Sequence, residues 1–298
     1  MRTLVFELFA KNYYGRGVFM TLFDEAFGVV PEGVVNIDLD GDQELYVDSL
    51  RILRVHDEDF DNQDAKLNTW AYMAACDAML DSPQDYQHLQ RLLMVPREVN
   101  ATRFGLGAGK PQGNGTSAPM LMKVFRMLRQ IEGLKSTEHP ESLLTFTPRF
   151  GPDRYSDLLT NIMARDFIRF TQRKCKRYNI PMTKGHKMNV FNPDTLEWEM
   201  LTDVELPEHN GLAILLVPKD ILVSEYQYTA QEYVNHDILE GRKLFYVRDG
   251  RPLAKREIFK IETEDILHDK FKTYALAEAV REPKRFVGFL EKRQTLIG

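Results

Sequence analysis

The spacing of apolar residues changes period at Pro181. Before it, stretches such as "NQDAKLNTWAYMAACDAML" (62–80) repeat apolar residues every three or four positions, as a helix with one buried face does. After it come "KMNVFNP", "EWEMLTDVELP" and "LAILLVPKDIL", which have strand patterns. The last two are joined by "EHNG", whose Asn-Gly pair suits a tight hairpin turn. A chain that switches in this way is expected to be α+β, with a largely helical N-terminal half. Its C-terminal half would hold a small mixed or antiparallel sheet.

Within that frame, residues 3–27 predict one or two helices, broken near Gly15 and Gly17. "GVVNIDLDGDQELYVDSLRIL" predicts extended chain with a turn at Asp40-Gly41. The 62–80 helix would bury Leu67, Trp70, Met73 and Ala74, and another would cover 83–93. The helix after Ala118 would bury Leu121, Val124, Phe125 and Leu128, and 133–147 would be a connector. "RKLFYVRDGRPLAKREIF" carries an Asp-Gly turn, and the chain from Asp265 reads as helical. The expected units are 1–135 and 148–298, either separate or as one continuous domain.

Charge is segregated. Ten acidic residues face two arginines between Asp38 and Asp64. Five cations and no acid lie between Ala101 and Ile131, and eight cations face only Asp166 between Arg165 and Lys187. The net charge of −5 excludes a uniformly basic nucleic-acid binder, but local polyanion binding fits the two basic runs. The two cysteines, Cys76 and Cys175, have no metal or disulfide spacing, which predicts free buried thiols in a reducing compartment. No signal peptide or run of about 20 apolar residues is present, so the expected location is cytoplasmic, away from membrane.

"GLGAGKPQGNG" (105–115) invites a phosphate-loop reading, but its spacing fails the tests. The position five before Gly109 is Phe104, and Lys110 precedes Pro111 rather than Ser or Thr. What remains is a basic loop, with Arg103 and Lys110, that suits phosphate-backbone contact or an ordinary surface loop.

"GPDRYSDLLTNIMARDFIRFTQRKCKR" (151–177) predicts one long helix. Gly-Pro-Asp is a strong start, because proline presets φ and an early carboxylate suits the helix dipole. Asp153, Asp157 and Asn161 recur at every fourth position and would share a polar face that Arg165 extends. They offer oxygen ligands for Mg²⁺, with a glutamate such as Glu199 as a further ligand. The structural alternative is a capped helix with paired surface charges. Arg154, Arg173, Lys174 and Arg177 are candidate nucleic-acid contacts, or cations that favour a helix C-terminus. Lys219 ends a strand pattern and is the candidate for stabilising a scissile phosphate, although no acid stands two positions before it. Asp64-Ala-Lys66 has that spacing but lies in a helical pattern. Tyr226, Tyr228 and Tyr233 would stack on bases or line a surface. Ser156 and Ser117 have no neighbouring His, and the seven histidines lack zinc-site spacing.

Three stretches in order, "PREVNATRFGLGAGKPQGNG", "FGPDRYSDLLTNIMARDFIRFTQRKCKRYNIP" and "NGLAILLVPKDIL", resemble a family of uncharacterised bacterial and phage-associated proteins. The shared pattern is a Glu-x-Asn and glycine-rich loop, a Gly-x-Asp-Arg-x-Ser-Asp helix with a Thr-Gln pair, and a Val-Pro-Lys strand. It covers about residues 40–240. The resemblance groups Glu98, Asn100, Asp153, Arg154, Asp157, Asn161, Gln172 and Lys219 as one site. It also suggests a mobile-element or antiviral-defence setting.

The leading expectation is a Mg²⁺-dependent nuclease in which Asp153, Asp157 and Lys219 are catalytic. Metal would lie on Asp153, Asp157, Asn161 and Glu199, and nucleic acid along Arg103, Lys110, Arg154, Arg173, Lys174 and Arg177. The alternative is a non-catalytic nucleic-acid-binding protein, or a partner subunit of a complex or homo-oligomer.

Overall fold

A computed structural model describes residues 20–94, 100–105, 118–131, 134 and 138–296. The architecture is α+β: helices dominate, and each sheet among the described residues has two antiparallel strands. Helices α1 (Phe23–Phe27), α2 (Asn62–Met79), α3 (Tyr86–Leu93) and α4 (Ala118–Leu128) form the N-terminal half. A two-residue strand β1 (Tyr46–Val47) and a 3₁₀ turn (Ser49–Arg54) lie between α1 and α2. The buried apolar residues from Phe23 to Leu290 form one continuous core.

The centre of that core is a helix where a connector was expected. α5 (Glu141–Phe146) has every residue buried and packs against α4 and three later helices. Its Ser and Thr made it read as a loop, but their hydroxyls are satisfied internally. Thr145 Oγ1 donates to the carbonyls of Glu141 and Tyr228, and Ser142 Oγ to that of His139. Polar residues bonded in this way do not oppose burial.

The expected long helix is two: α6 (Pro152–Ile162) and α7 (Ala164–Arg177), broken at Met163. The break lets α6 pack between β1 and the hairpin of β2 (Thr183–Asn192) and β3 (Glu197–Leu206), while α7 packs on that hairpin. Asn192 closes the hairpin turn by accepting the Asp194 and Thr195 N–H groups. Asn210-Gly211 joins β4 (Glu208–His209) to β5 (Leu212–Ala213) with positive φ at both positions, as the Asn-Gly signal required.

The strand expected through "LAILLVPK" stops at Ala213. Ile214–Val217 stay buried but have no ladder. The amides of Ile214, Leu215 and Leu216 donate instead to the Pro207 carbonyl, the Ala101 carbonyl and Thr171 Oγ1. β6 (Leu222–Val223) then pairs with β1.

The C-terminal region opens with α8 (Ala230–Tyr233), a π-helical turn (Val234–Ile238) and α9 (Leu239–Arg242). The hairpin of β7 (Val247–Arg248) and β8 (Arg251–Pro252) turns on Asp249-Gly250, and α10 (Lys255–Glu262), α11 (Lys270–Arg281) and α12 (Pro283–Leu296) follow. α11 packs on α5, α8 and α12.

Two further expectations are corrected. α2 leaves Leu67 61% exposed and Trp70 half-exposed, and buries a face of Ala65, Asn68, Thr69, Tyr72, Met73 and Cys76. Asn68 and Thr69 can be buried because Asp166 and the Ala65 carbonyl accept their hydrogen bonds. Tyr226, Tyr228 and Tyr233 are core residues rather than surface rings. Both cysteines are free and buried, and no helix among the described residues is long and apolar enough to cross a membrane.

Candidate functional site

α6 starts as its sequence indicates, with Gly151 before it, Pro152 in the first turn and Asp153 beside it. Asp153 and Asp157 are half-buried, one turn apart. The polar stripe then ends. Asn161 is fully buried, its Nδ2 donates to the Asp157 carbonyl at 2.8 Å, and its Oδ1 has no partner among the described residues. Glu199 accepts a hydrogen bond from Asn192 at 2.8 Å and is paired with Arg165. The Asn192 bond, reinforced by that pairing, holds its carboxyl below the usual range. No three acidic, His or Cys side chains among the described residues form a metal-ligating group.

Three of the candidate nucleic-acid contacts, Lys174, Arg177 and Arg173, have protein partners. Lys174 is 3% exposed, with Nζ 2.7 Å from Asp57 and 3.4 Å from Asp59. Arg177 pairs with Glu58 and, at 2.9 Å, with Asp59, and Arg173 donates to the Asp59 carbonyl at 3.1 Å. Arg169 reaches Asp64 at 2.7 Å. Much of the basic run on α7 therefore faces the acidic run of 57–64. Arg154 is half-buried on α6. Half-buried Arg103 has φ of 58°, and its carbonyl accepts the Gln43 N–H at 2.8 Å. Gln172 Nε2 donates to the Glu205 carbonyl, and Ser156 Oγ accepts the Val47 N–H. Glu98, Lys110 and Ser117 lie outside the described residues, as does the side chain of Asn100.

Lys219 lies in a cleft whose lining includes neither Asp153 nor Asp157. It lines a cleft of about 400 Å³ with Glu32, Gly33, His56, Asp57, Glu58, Lys174, Arg177, Tyr178 and Asp220. Local geometry builds this cleft. The Lys219 N–H donates to the Gly33 carbonyl at 2.8 Å, and Val34 bridges Pro218, which pins the 33–34 segment to the end of the buried 214–217 run. The Glu32 N–H donates to Tyr178 Oη at 3.0 Å and ties the same segment to the end of α7. Gly33 has φ of +80°, and a Cβ there would collide with Asp57 Oδ2. Glycine is thus required both for the backbone conformation and for the close approach of the carboxylate.

Four carboxylates face three cations around the cleft. Asp57 and Glu58 are committed to Lys174 and Arg177. Exposed Glu32 and Asp220 have no cation within ion-pair distance among the described residues, and Lys219 has no carboxylate so placed. Sequence reading missed Glu32, Gly33, His56, Asp57 and Asp220. Their one signal was the complementarity of the acidic and basic runs.

A second polar group is buried beside α5. Tyr228 Oη donates to Asp48 Oδ1 at 2.7 Å, and Ser49 Oγ lies 2.7 Å from Tyr155 Oη and donates to Glu141. Burial pushes the Asp48 carboxyl up to about 6, opposed by the hydrogen bonds from Tyr228 and Leu50. Asp48 and Arg51 line a smaller cleft of about 330 Å³.

The chain belongs to the family described as a domain of unknown function, DUF8370, whose family model matches residues 30–229. The match spans the whole Lys219 cleft, α6 and α7. No curated protein and no solved structure matches the chain.

Proposed function

We propose that the protein is a Mg²⁺-dependent phosphodiesterase acting on nucleic acid, with its reacting centre in the Lys219 cleft rather than along α6. The observation that carries this reading is the juxtaposition of Lys219 with the carboxylates of Glu32 and Asp220 in one open cleft. With four acids against three cations, the cleft disfavours a bare phosphate. A divalent cation reverses that balance, and Mg²⁺ needs only one or two protein carboxylates when water and phosphate complete its shell. Glu32 and Asp220 suit that role. Lys219 then contacts a non-bridging phosphate oxygen, and exposed His56 takes the proton of the attacking water. The new bond is water oxygen to phosphorus, the bond that breaks is phosphorus to ester oxygen, and the leaving oxygen takes up a proton. Lys174 and Arg177 hold the walls. Two buried free thiols support a reducing, cytoplasmic setting.

DNA and RNA substrates incubated with and without Mg²⁺ or Mn²⁺ test this. Metal-dependent cleavage should vanish in Lys219→Ala and Asp220→Ala and persist in Asp157→Ala. Uncut substrate throughout, or loss in Asp157→Ala alone, defeats the proposal.

A further inference from the structure

α2 carries an apolar face that the described residues leave uncovered. Leu67 is 61% exposed and Trp70 47%, Ala78 is exposed, and Ala71 and Ala74 are half-buried. At about 3.6 residues per turn these five side chains fall within about 100° of arc, with Gln63 at the N-terminal end of the same strip. Leu67 and Trp70 are one turn apart, so their exposed surfaces form one contiguous patch, the arrangement that marks interaction surfaces.

The strip is graded in size. Its large side chains, Leu67 and Trp70, lie toward the N-terminus, and Ala71, Ala74 and Ala78 follow. Such a face is complementary to itself when a second copy runs antiparallel. A two-fold axis brings residue i of one chain onto residue j of the other, and j onto i. With the axis level with residue 72, Trp70 lies on Ala74 of the second copy and Leu67 beside its Ala78, so large sits on small at both ends. Registers one turn away are worse: one sets Trp70 on Trp70, and the other sets Leu67 on Asp81.

Charge selects the same register. In an antiparallel pair of this kind each flank of α2 faces the same flank of the second copy. Lys66 and Asp77 share a flank, about three turns apart. Lys66 has no carboxylate within ion-pair distance among the described residues, and Asp77 gives Oδ1 to Arg129 at 2.8 Å. The axis that seats Trp70 on Ala74 also sets Lys66 opposite Asp77 of the second copy, at both ends of the contact.

We propose that this face of α2 docks a second copy of the chain, forming an antiparallel two-fold pair centred near residue 72. The strip runs along a helix of about 27 Å and buries on the order of a few hundred Å² per copy, below the roughly 800 Å² of a standard interface. The dimer is therefore weak and forms reversibly as concentration rises. It leaves the Lys219 cleft open, because no residue of α2 lines that cleft.

Sedimentation equilibrium of the full chain from about 10 μM to about 1 mM should show a reversible monomer–dimer equilibrium. Trp70→Ala, which sets small on small, and Ala74→Trp, which sets Trp on Trp, should each weaken it about tenfold. An equimolar mixture of the two variants should associate again as a heterodimer, since each supplies at both contacts the size the other lacks. Lys66→Glu should weaken the dimer at low salt and do so less in high salt. It carries the test alone if Ala74→Trp fails to fold, which melting temperatures at dilute, monomeric concentration will show. Three outcomes overturn the assignment: a chain that stays monomeric to about 1 mM, a dimer indifferent to Trp70→Ala and Lys66→Glu, or a mixture of folded variants no more associated than its components.

Discussion

Lys174 Nζ lies 2.7 Å from Asp57 Oδ2 inside the protein, which makes the end of α7 and the segment after the 3₁₀ turn one electrostatic unit. Removing one partner of a buried pair leaves the other charge uncompensated, at a cost of about 3–5 kcal/mol. Asp57→Ala is expected to lose stability on that scale, softened by Asp59 at 3.4 Å from the same ammonium. Lys219→Ala, at an exposed side chain, should stay within about 0.5 kcal/mol of the parent. Urea unfolding of both variants measures the difference. Equal midpoints would mean that Lys174 is not held as described.

Gly33 makes the same unit dependent on one missing side chain. Gly28 and Gly33 share positive φ, 76° and 80°, but a Cβ at Gly28 meets nothing within 4 Å, whereas at Gly33 it strikes Asp57. Gly28→Ala should therefore show the backbone cost alone, about 1 kcal/mol. Gly33→Ala should lose clearly more, because the Asp57–Lys174 pair must move as well. Thermal melts of the two variants give the comparison directly, and a Gly33→Ala protein as stable as Gly28→Ala counts against the close approach.

These two sites show which features were legible in the sequence. The Asn210-Gly211 and Asp249-Gly250 turns were, because positive φ is a property of two adjacent residues. The stripe of Leu121, Val124, Phe125 and Leu128 was too, since all four are buried. The face of α2 was misread because Asn68 and Thr69 are buried through hydrogen bonds to Asp166 and to a carbonyl, which hydropathy does not register. α5 was missed for the same reason. The run Ile214–Val217 is as apolar as a core strand, yet its amides donate to the Thr171 hydroxyl and to the carbonyls of Ala101 and Pro207 rather than to a neighbouring strand. Lys219 does follow that run, after Pro218, but its neighbours were not foreseeable. Gly33, Asp57, Lys174 and Lys219 come together only through tertiary packing.

Lys272 offers a check on how α11 is anchored. Its Nζ donates to the carbonyls of Thr147 at 2.7 Å and Phe150 at 2.6 Å, just before α6. Lys272→Met would leave both carbonyls without that donor, for a loss of about 2 kcal/mol. Burial pushes the Lys272 ammonium down to about 8. The unfolded chain then holds more protons than the folded one between about 8 and the ordinary 10.5, so this group's contribution to stability grows as pH rises through that window. A Lys272→Met protein should lack that rise, which denaturation at alkaline pH will show.

Asp48 and Asp166 set the opposite dependence on the acid side. Burial pushes each carboxyl up to about 6, against partial relief from Tyr228 for Asp48 and from Asn68 for Asp166. A carboxyl raised in the folded state binds more protons there than in the unfolded chain between the ordinary 3.8 and about 6. Stability from these two groups is therefore greatest below that window, declines as pH rises through it, and is level above it. For Asp48 the full difference is about 3 kcal/mol. Asp48→Asn keeps an oxygen for the Tyr228 hydroxyl and the Leu50 N–H while removing the ionisable proton. Unfolding midpoints taken across this range should decline in the parent protein and decline less in Asp48→Asn, so that the variant gains on the parent toward neutral pH. Tyr228→Phe, which removes a hydrogen bond to the charged form, should move the decline to higher pH. Parallel curves for parent and Asp48→Asn would show that Asp48 is not the buried acid this geometry makes it.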